Sequence, residues 1–198
     1  GSEMCIRDSW YTALFALVSL IAINLFAFTI AYALTQKFKG TNVFRTVFFL
    51  PNLIGGIVLG YIWSMIFDGI LIKYNTSVVL ETKYGFWGLV ILVCWQQIGY
   101  MMIIYIAGLQ AVPEDMLEAA RIDGASEART FISVVLPMVK PGIGALAIFT
   151  FINSWNDYFM QLIMLSSTSN LTISLGIAKL QAENSTDFGL IMAGAALA

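Results

Sequence analysis

The feature that most constrains this chain is where charge is missing. Trp10 to Gln36 holds no charged residue, and neither do Thr46 to Phe67 or Tyr84 to Pro113. From Pro141 to Ala178 the only charged side chain is Asp157, and Phe188 to Ala198 is again apolar. A helix needs about 20 apolar residues to cross the hydrocarbon core, where it must satisfy its own backbone polar groups. The runs therefore predict full spans near residues 10–35, 46–67, 87–111 and 142–165, and an incomplete one over 187–198. The fold class is all-α, a polytopic transmembrane helical bundle, read as a fragment with about four full spans and part of a fifth. Composition agrees, with 59% hydrophobic and only 11% charged residues, where soluble domains hold about 25% charged.

Orientation follows from Lys and Arg. If the spans alternate, the segments 37–45 and 113–141 share one side and hold Lys37, Lys39, Arg45, Arg121, Arg129 and Lys140. The opposite segments, 68–86 and 166–186, hold only Lys73, Lys83 and Lys179. The bias places 113–141 in the cytoplasm. Triplets of the glycosylation-acceptor type at Asn75, Asn170 and Asn184 fall in the outer segments and carry no functional weight, because such triplets arise by chance in polar loops.

Several function classes drop out. Net charge is −2 with no basic patch, which leaves no footprint for nucleic acid. Histidine is absent and the two cysteines are Cys5 and Cys94, so neither a metal site nor a disulfide framework is expected. No G-x-x-x-x-G-K-[ST] phosphate loop occurs, and no nucleophile, base and orienting group form a catalytic set. The opening "GSEMCIRDS" lacks the layout of a signal peptide and resembles a translated sequencing adapter, so residues 1–9 are set aside.

One segment stands apart from the apolar runs. "LEAARIDGASEARTFISVVLP", Leu117 to Pro137, packs in Glu118, Arg121, Asp123, Glu127 and Arg129. Pro113 can open a helix at its first turn, and Glu114 and Asp115 suit the positive end of the dipole. Asp123-Gly124 breaks that helix, with Gly124 free to turn left-handed, and Ser126 can cap a second one. Pro137 and Pro141 then bend the chain before the next span. Ala119 and Ala120 leave a low surface that another protein can approach. A plain solvated connector is the alternative.

The spacing carries a resemblance. Glu118-Ala119-Ala120, three residues, Gly124, nine more, then Val134-Val135-Leu136-Pro137 resembles the signature loop of binding-protein-dependent ABC importer permeases, with Val134 where that family has Ile. The resemblance implies an ABC type I importer permease fold in a bacterial plasma (inner) membrane. It implies a transport subunit, not an enzyme, with no cofactor of its own and ATP held on partner subunits. Glu118, Ala119, Ala120, Asp123, Gly124, Leu136 and Pro137 would then belong to a coupling loop docking on an ATP-binding cassette subunit. A second permease subunit and an extracytoplasmic solute-binding protein complete the implied partners, with lipid around the spans.

"FRTVFFLPNLIGGIVLGYIW" and "YMMIIYIAGLQAVPEDMLEAARIDGAS" are similar to carbohydrate permeases of the maltose-transporter F-subunit type. "VVLPMVKPGIGALAIFTFINSWNDYFMQLIMLSS" and "FGLIMAGAALA" are closer to the G-subunit type. Two readings stand: one permease with mixed likeness, or two sequences joined between about Asp123 and Leu136.

Inside the fourth predicted span lie Asn153, Asn156 and Asp157, and inside the third Gln96 and Gln97. Asn153 and Asn156 share a helix face and Asn153 to Asp157 is an i,i+4 step. Such a stripe suits hydrogen bonds between helices or a sugar path. Trp155 and Tyr158 suit interfacial anchors, and Met101 and Met102 suit packing. Two other function classes compete with the importer: a secondary transporter driven by an ion gradient, for which Asp157 is the one coupling carboxylate, and a membrane scaffold without transport.

Overall fold

The structure is a computed structural model and describes residues 2–35, 40–74, 77, 82–165, 172–183, 189 and 192. Lys37, Lys39, Asn75, Asn170, Asn184 and most of the 187–198 run lie outside the described residues. The described secondary structure is helical throughout. It comprises α1 (Ser2–Thr35), α2 (Thr41–Phe49), α3 (Gly56–Leu71), α4 (Thr82–Gln110), α5 (Glu114–Ile122), α6 (Glu127–Thr130), α7 (Leu136–Asn156), α8 (Phe159–Met164) and α9 (Ile173–Glu183).

Three stretches are long and apolar enough to cross a membrane: Ser9–Thr35, Lys83–Gln110 and Glu127–Asn156. The first two match the expected spans 10–35 and 87–111, and at ~1.5 Å per residue each exceeds the ~30 Å core. The span expected over 46–67 is interrupted instead. A 3-10 turn, Leu50–Leu53, follows α2, and α3 restarts at Gly56. Pro51 supplies no N–H, and Gly55 takes an extended φ,ψ of −57°, 134° that the helix cannot contain. Thr41–Leu53 and Gly56–Leu71 make a fourth span only if the two arms are counted as one.

The fourth expected span also differs. The sequence places it at 142–165 after a bend at Pro137 and Pro141, yet helix runs from Glu127 to Asn156 and passes through Pro141. Before Pro137, residues Phe131–Val135 form a π-helical turn in which the Leu136 N–H reaches the Phe131 carbonyl. The wider turn takes up the backbone disturbance that a proline causes just beyond it. The helix thus continues through both prolines. The segment 113–141 contains α5, α6, the π turn and the start of α7, and Leu136 and Pro137 sit in the first turn of α7.

The chain divides into two compact units, residues 1–19, 54–94 and 151–198 in one and 20–53 and 95–150 in the other. In the first, Gly56 and Gly60, one helical turn apart on α3, face α8. A Cβ on Gly60 would stand 2.8 Å from Ile163 Cδ1, and one on Gly56 3.4 Å from Met160 Cε. Small residues at that spacing let helices approach without a hydrophobic drive from water. Phe15, Leu89 and Leu92 are fully buried in this unit, and the Tyr11 ring meets Phe86 edge-on at 5.3 Å. In the second unit the closest approach is at Gly99 of α4, where a Cβ would lie 1.9 Å from the Phe48 carbonyl oxygen. Met101 and Met102, read as packing residues, are fully buried.

Candidate functional site

The docking segment is built by local capping. Pro113 sits one position before the helix, with φ,ψ of −61°, 136°, rather than in its first turn. Its carbonyl accepts the Met116 N–H at 3.2 Å. Glu114 and Asp115 occupy the first turn of α5 and Arg121 the last, each at the dipole end it complements. The helix ends in a Schellman motif, in which Gly124 N–H bonds the Arg121 carbonyl and Ala125 N–H the Ala120 carbonyl, both at 3.0 Å. Gly124 has φ of +72°, as the sequence required, and open space surrounds the position of a Cβ. Ser126 Oγ then accepts the Arg129 N–H at 3.4 Å and starts α6.

The two alanines divide their roles. Ala120 is buried, while Glu118, Ala119, Asp123 and Gly124 are exposed. Glu114, Leu117, Glu118, Arg121 and Ile122, one helical stripe of α5, line a shallow depression of about 560 Å³. Ile122 is 80% exposed and Met116 48% exposed, so the segment offers apolar side chains among carboxylates. No group of three metal-ligating side chains occurs among the described residues.

The polar stripe of the fourth span does not survive as a stripe. α7 ends at Asn156, and Asp157 and Tyr158 form a non-helical joint before α8. Asp157 therefore leaves the i,i+4 face of Asn153, and its Oδ1 accepts the Met160 N–H at 3.3 Å, capping α8. Asn156 is exposed and its Nδ2 donates back to the Ile152 carbonyl at 2.9 Å. Asn153 is half-buried, and the Trp155 ring stacks on Phe151 at 5.4 Å. Gln96 and Gln97, which belong to the other unit, are half-buried on α4, and their side chains make no hydrogen bond among the described residues.

Sequence reasoning missed the groups that close this joint. Gln161 is fully buried, its Nε2 donates to the Ser154 carbonyl at 3.4 Å, and its carbonyl oxygen accepts from the Thr172 hydroxyl. Ser174 Oγ donates to the Trp155 carbonyl at 3.1 Å, and Thr12 Oγ1 accepts the Ile173 N–H at 2.9 Å. The last carbonyls of a broken helix thus receive side-chain donors from α8 and α9. The available signal was Gln161 alone among apolar residues, four positions after Asp157.

Comparison with known proteins gives a consistent picture. The chain is 40% identical over 153 residues to a probable starch degradation products transport system permease of Thermoanaerobacterium thermosulfurigenes, covering 73% of this chain and 52% of the relative. It is 33% identical over 149 residues to a trehalose/maltose transport system permease of Thermococcus litoralis, covering 68% and 50%. The chain thus spans about half the length of these curated relatives. Among solved structures, a bacterial ABC transporter involved in the import of the acidic polysaccharide alginate matches with a TM-score of 0.82 at 18% identity. That match covers 98% of this chain and 73% of the other, and the likeness is one of fold. Residues 23–198 match the family described as binding-protein-dependent transport system inner membrane component, and the chain belongs to that family of multi-pass inner-membrane transport subunits.

Proposed function

We propose that this chain lines part of a carbohydrate path in an ATP-driven importer and couples to a separate ATP-binding subunit through residues 113–126. The observation that carries the coupling is the exposed, doubly capped joint between α5 and α6, with a left-handed Gly124 between them. A connector needs no such definition, whereas a surface that must fit a partner groove does. ATP would bind on that partner, alongside a second permease subunit and a solute-binding protein outside the membrane. Carbohydrate as the cargo class follows the relatives, whose names refer to starch degradation products and to trehalose and maltose.

Asn153, Gln96 and Gln97 are the residues proposed to meet sugar hydroxyls, since their side chains are half-buried and none is bonded among the described residues. Asn156 and Asp157 already serve the backbone. The test is capture of the ATP-binding subunit by the assembled membrane complex carrying Ile122→Asp, a substitution at a position 80% exposed. Capture should fall at least about tenfold, the effect of one desolvated interface anchor. Capture equal to that of the unsubstituted complex would overturn the docking role.

A further inference from the structure

Residues 20–53 and 95–150 contain a closed polar network that neither the docking segment nor the proposed path uses. Tyr105 Oη on α4 donates to Asn24 Oδ1 on α1 at 2.5 Å. Asn24 Nδ2 donates to the Leu20 carbonyl at 2.8 Å and to Thr150 Oγ1 on α7 at 3.3 Å. Thr150 Oγ1 in turn donates to the Leu146 carbonyl at 2.8 Å. Tyr105 is 4% exposed and Thr150 1% exposed. Both amide hydrogens and both hydroxyl hydrogens are used. The amide orientation is fixed too, because turning it over would set Oδ1 against the Leu20 carbonyl oxygen. Three spans are thereby joined through one side chain in a medium that offers no competing water.

Asn24 continues into a stripe on α1. Phe28 and Tyr32 follow at four-residue steps and so lie on the same face. The Phe28 ring meets Tyr105 edge-on at 5.4 Å and Phe131 at 6.1 Å, and Tyr32 meets Phe131 at 4.7 Å. Phe131 opens the π turn, five residues after the Ser126 cap. The stripe therefore runs from the docking joint to a point about 12 Å further along α1, at ~1.5 Å per residue from Tyr32 to Asn24.

From this juxtaposition we infer that Asn24 is a positioning residue for transport: its amide locks α1, α4 and α7 into one body, and the Phe28–Tyr32–Phe131 ring cluster ties that body to the docking segment. A displacement of residues 113–126 then reaches three spans together. The inference rests on the docking reading for its functional half, while the lock itself is a property of this chain alone.

The experiment compares the unsubstituted complex with Asn24→Leu, which keeps the volume, and Tyr105→Phe, which removes only the hydroxyl. Three quantities are read in the reconstituted complex: ATP-binding subunit captured, ATP turned over, and sugar moved per ATP. Spin labels at Leu25 and Ile148, exposed positions on α1 and α7, report their separation after Cys5 and Cys94 are replaced by Ala. Capture and turnover should hold within about twofold, while sugar moved per ATP falls about three- to tenfold, the span of one interhelical hydrogen bond read as an equilibrium ratio. The label distance distribution should broaden, and the double variant should lose no more than Asn24→Leu alone, since Asn24→Leu already removes the Tyr105 bond. An unchanged transport ratio or an unchanged distribution overturns the lock. If Asn24→Leu does not insert, Tyr105→Phe decides by the same readings. If the unsubstituted complex captures no ATP-binding subunit, the docking reading fails on its own and the label distances still decide the lock.

Discussion

Gly124 offers the sharpest test of the joint between α5 and α6. Its φ is +72°, and a Cβ placed there would meet nothing within 4 Å. The whole penalty of a substitution is therefore conformational and can be sized without a packing term. A left-handed residue with a Cβ costs about 1–2 kcal/mol relative to glycine. That lowers the population of the folded joint about 5–30-fold against straightened or frayed alternatives. Asn tolerates the left-handed region and should lose least, Ala should lose the full amount, and β-branched Val should lose most. The assay is ATP-driven uptake into vesicles by the assembled transporter, together with capture of the ATP-binding subunit. Both should rank Gly, Asn, Ala, Val, while span insertion stays constant. If Gly124→Val matched Gly124→Asn in both readings, the left-handed joint would have no part in docking.

Two further substitutions probe the helix contacts. Gly99→Ala would put a Cβ 1.9 Å from the Phe48 carbonyl oxygen and 2.6 Å from its carbon, so backbone rather than a side-chain tip must give way. A loss of ~3 kcal/mol or more is expected, at the upper end of overpacking, read as a fall in melting temperature in detergent; Gly108→Ala, with open space around it, should be neutral or gain a little, and equal stability of the two would refute the close approach. Asp157→Asn keeps an Oδ1 to accept the Met160 N–H at the same position, so fold and sugar uptake should both persist. Uptake lost from a well-folded Asp157→Asn complex would favour an ion-coupled mechanism instead.

The spans of α1 and α4 were legible because absence of charge over more than 20 residues has few other physical meanings. The joint at Gly124 and the cap at Ser126 were legible for a different reason: each is a local device whose residue type states its backbone geometry. Breaks inside apolar runs were hidden, since hydropathy does not register whether Leu50–Gly55 is helical. Pro51 and the Gly55-Gly56 pair were the only marks it left. The reverse held at Pro137 and Pro141, which suggest a bend, whereas a π turn just before Pro137 lets the helix continue. The Asn24–Tyr105–Thr150 network was beyond reach for another reason. Its members are 81 and 126 positions from Asn24, and no periodicity links residues across three separate helices.

The joint after α7 changes how a polar residue in a span is to be weighed. A helix that stops inside a membrane leaves its last carbonyls without donors, each a deficit of several kcal/mol in hydrocarbon. Here Gln161 and Ser174 answer the carbonyls of Ser154 and Trp155, and Asp157 answers the Met160 N–H at the start of α8. Each of these side chains thus has a backbone partner before any cargo is considered. Polarity and depth alone therefore do not mark a path. The discriminating property is hydrogen-bonding capacity left over once the backbone and neighbouring helices are served. By that measure Asn24, whose amide oxygen and both amide hydrogens are used, is structural. The side-chain amides of Asn153, Gln96 and Gln97, with no such partner among the described residues, are where the proposed path is to be tested for a sugar hydroxyl.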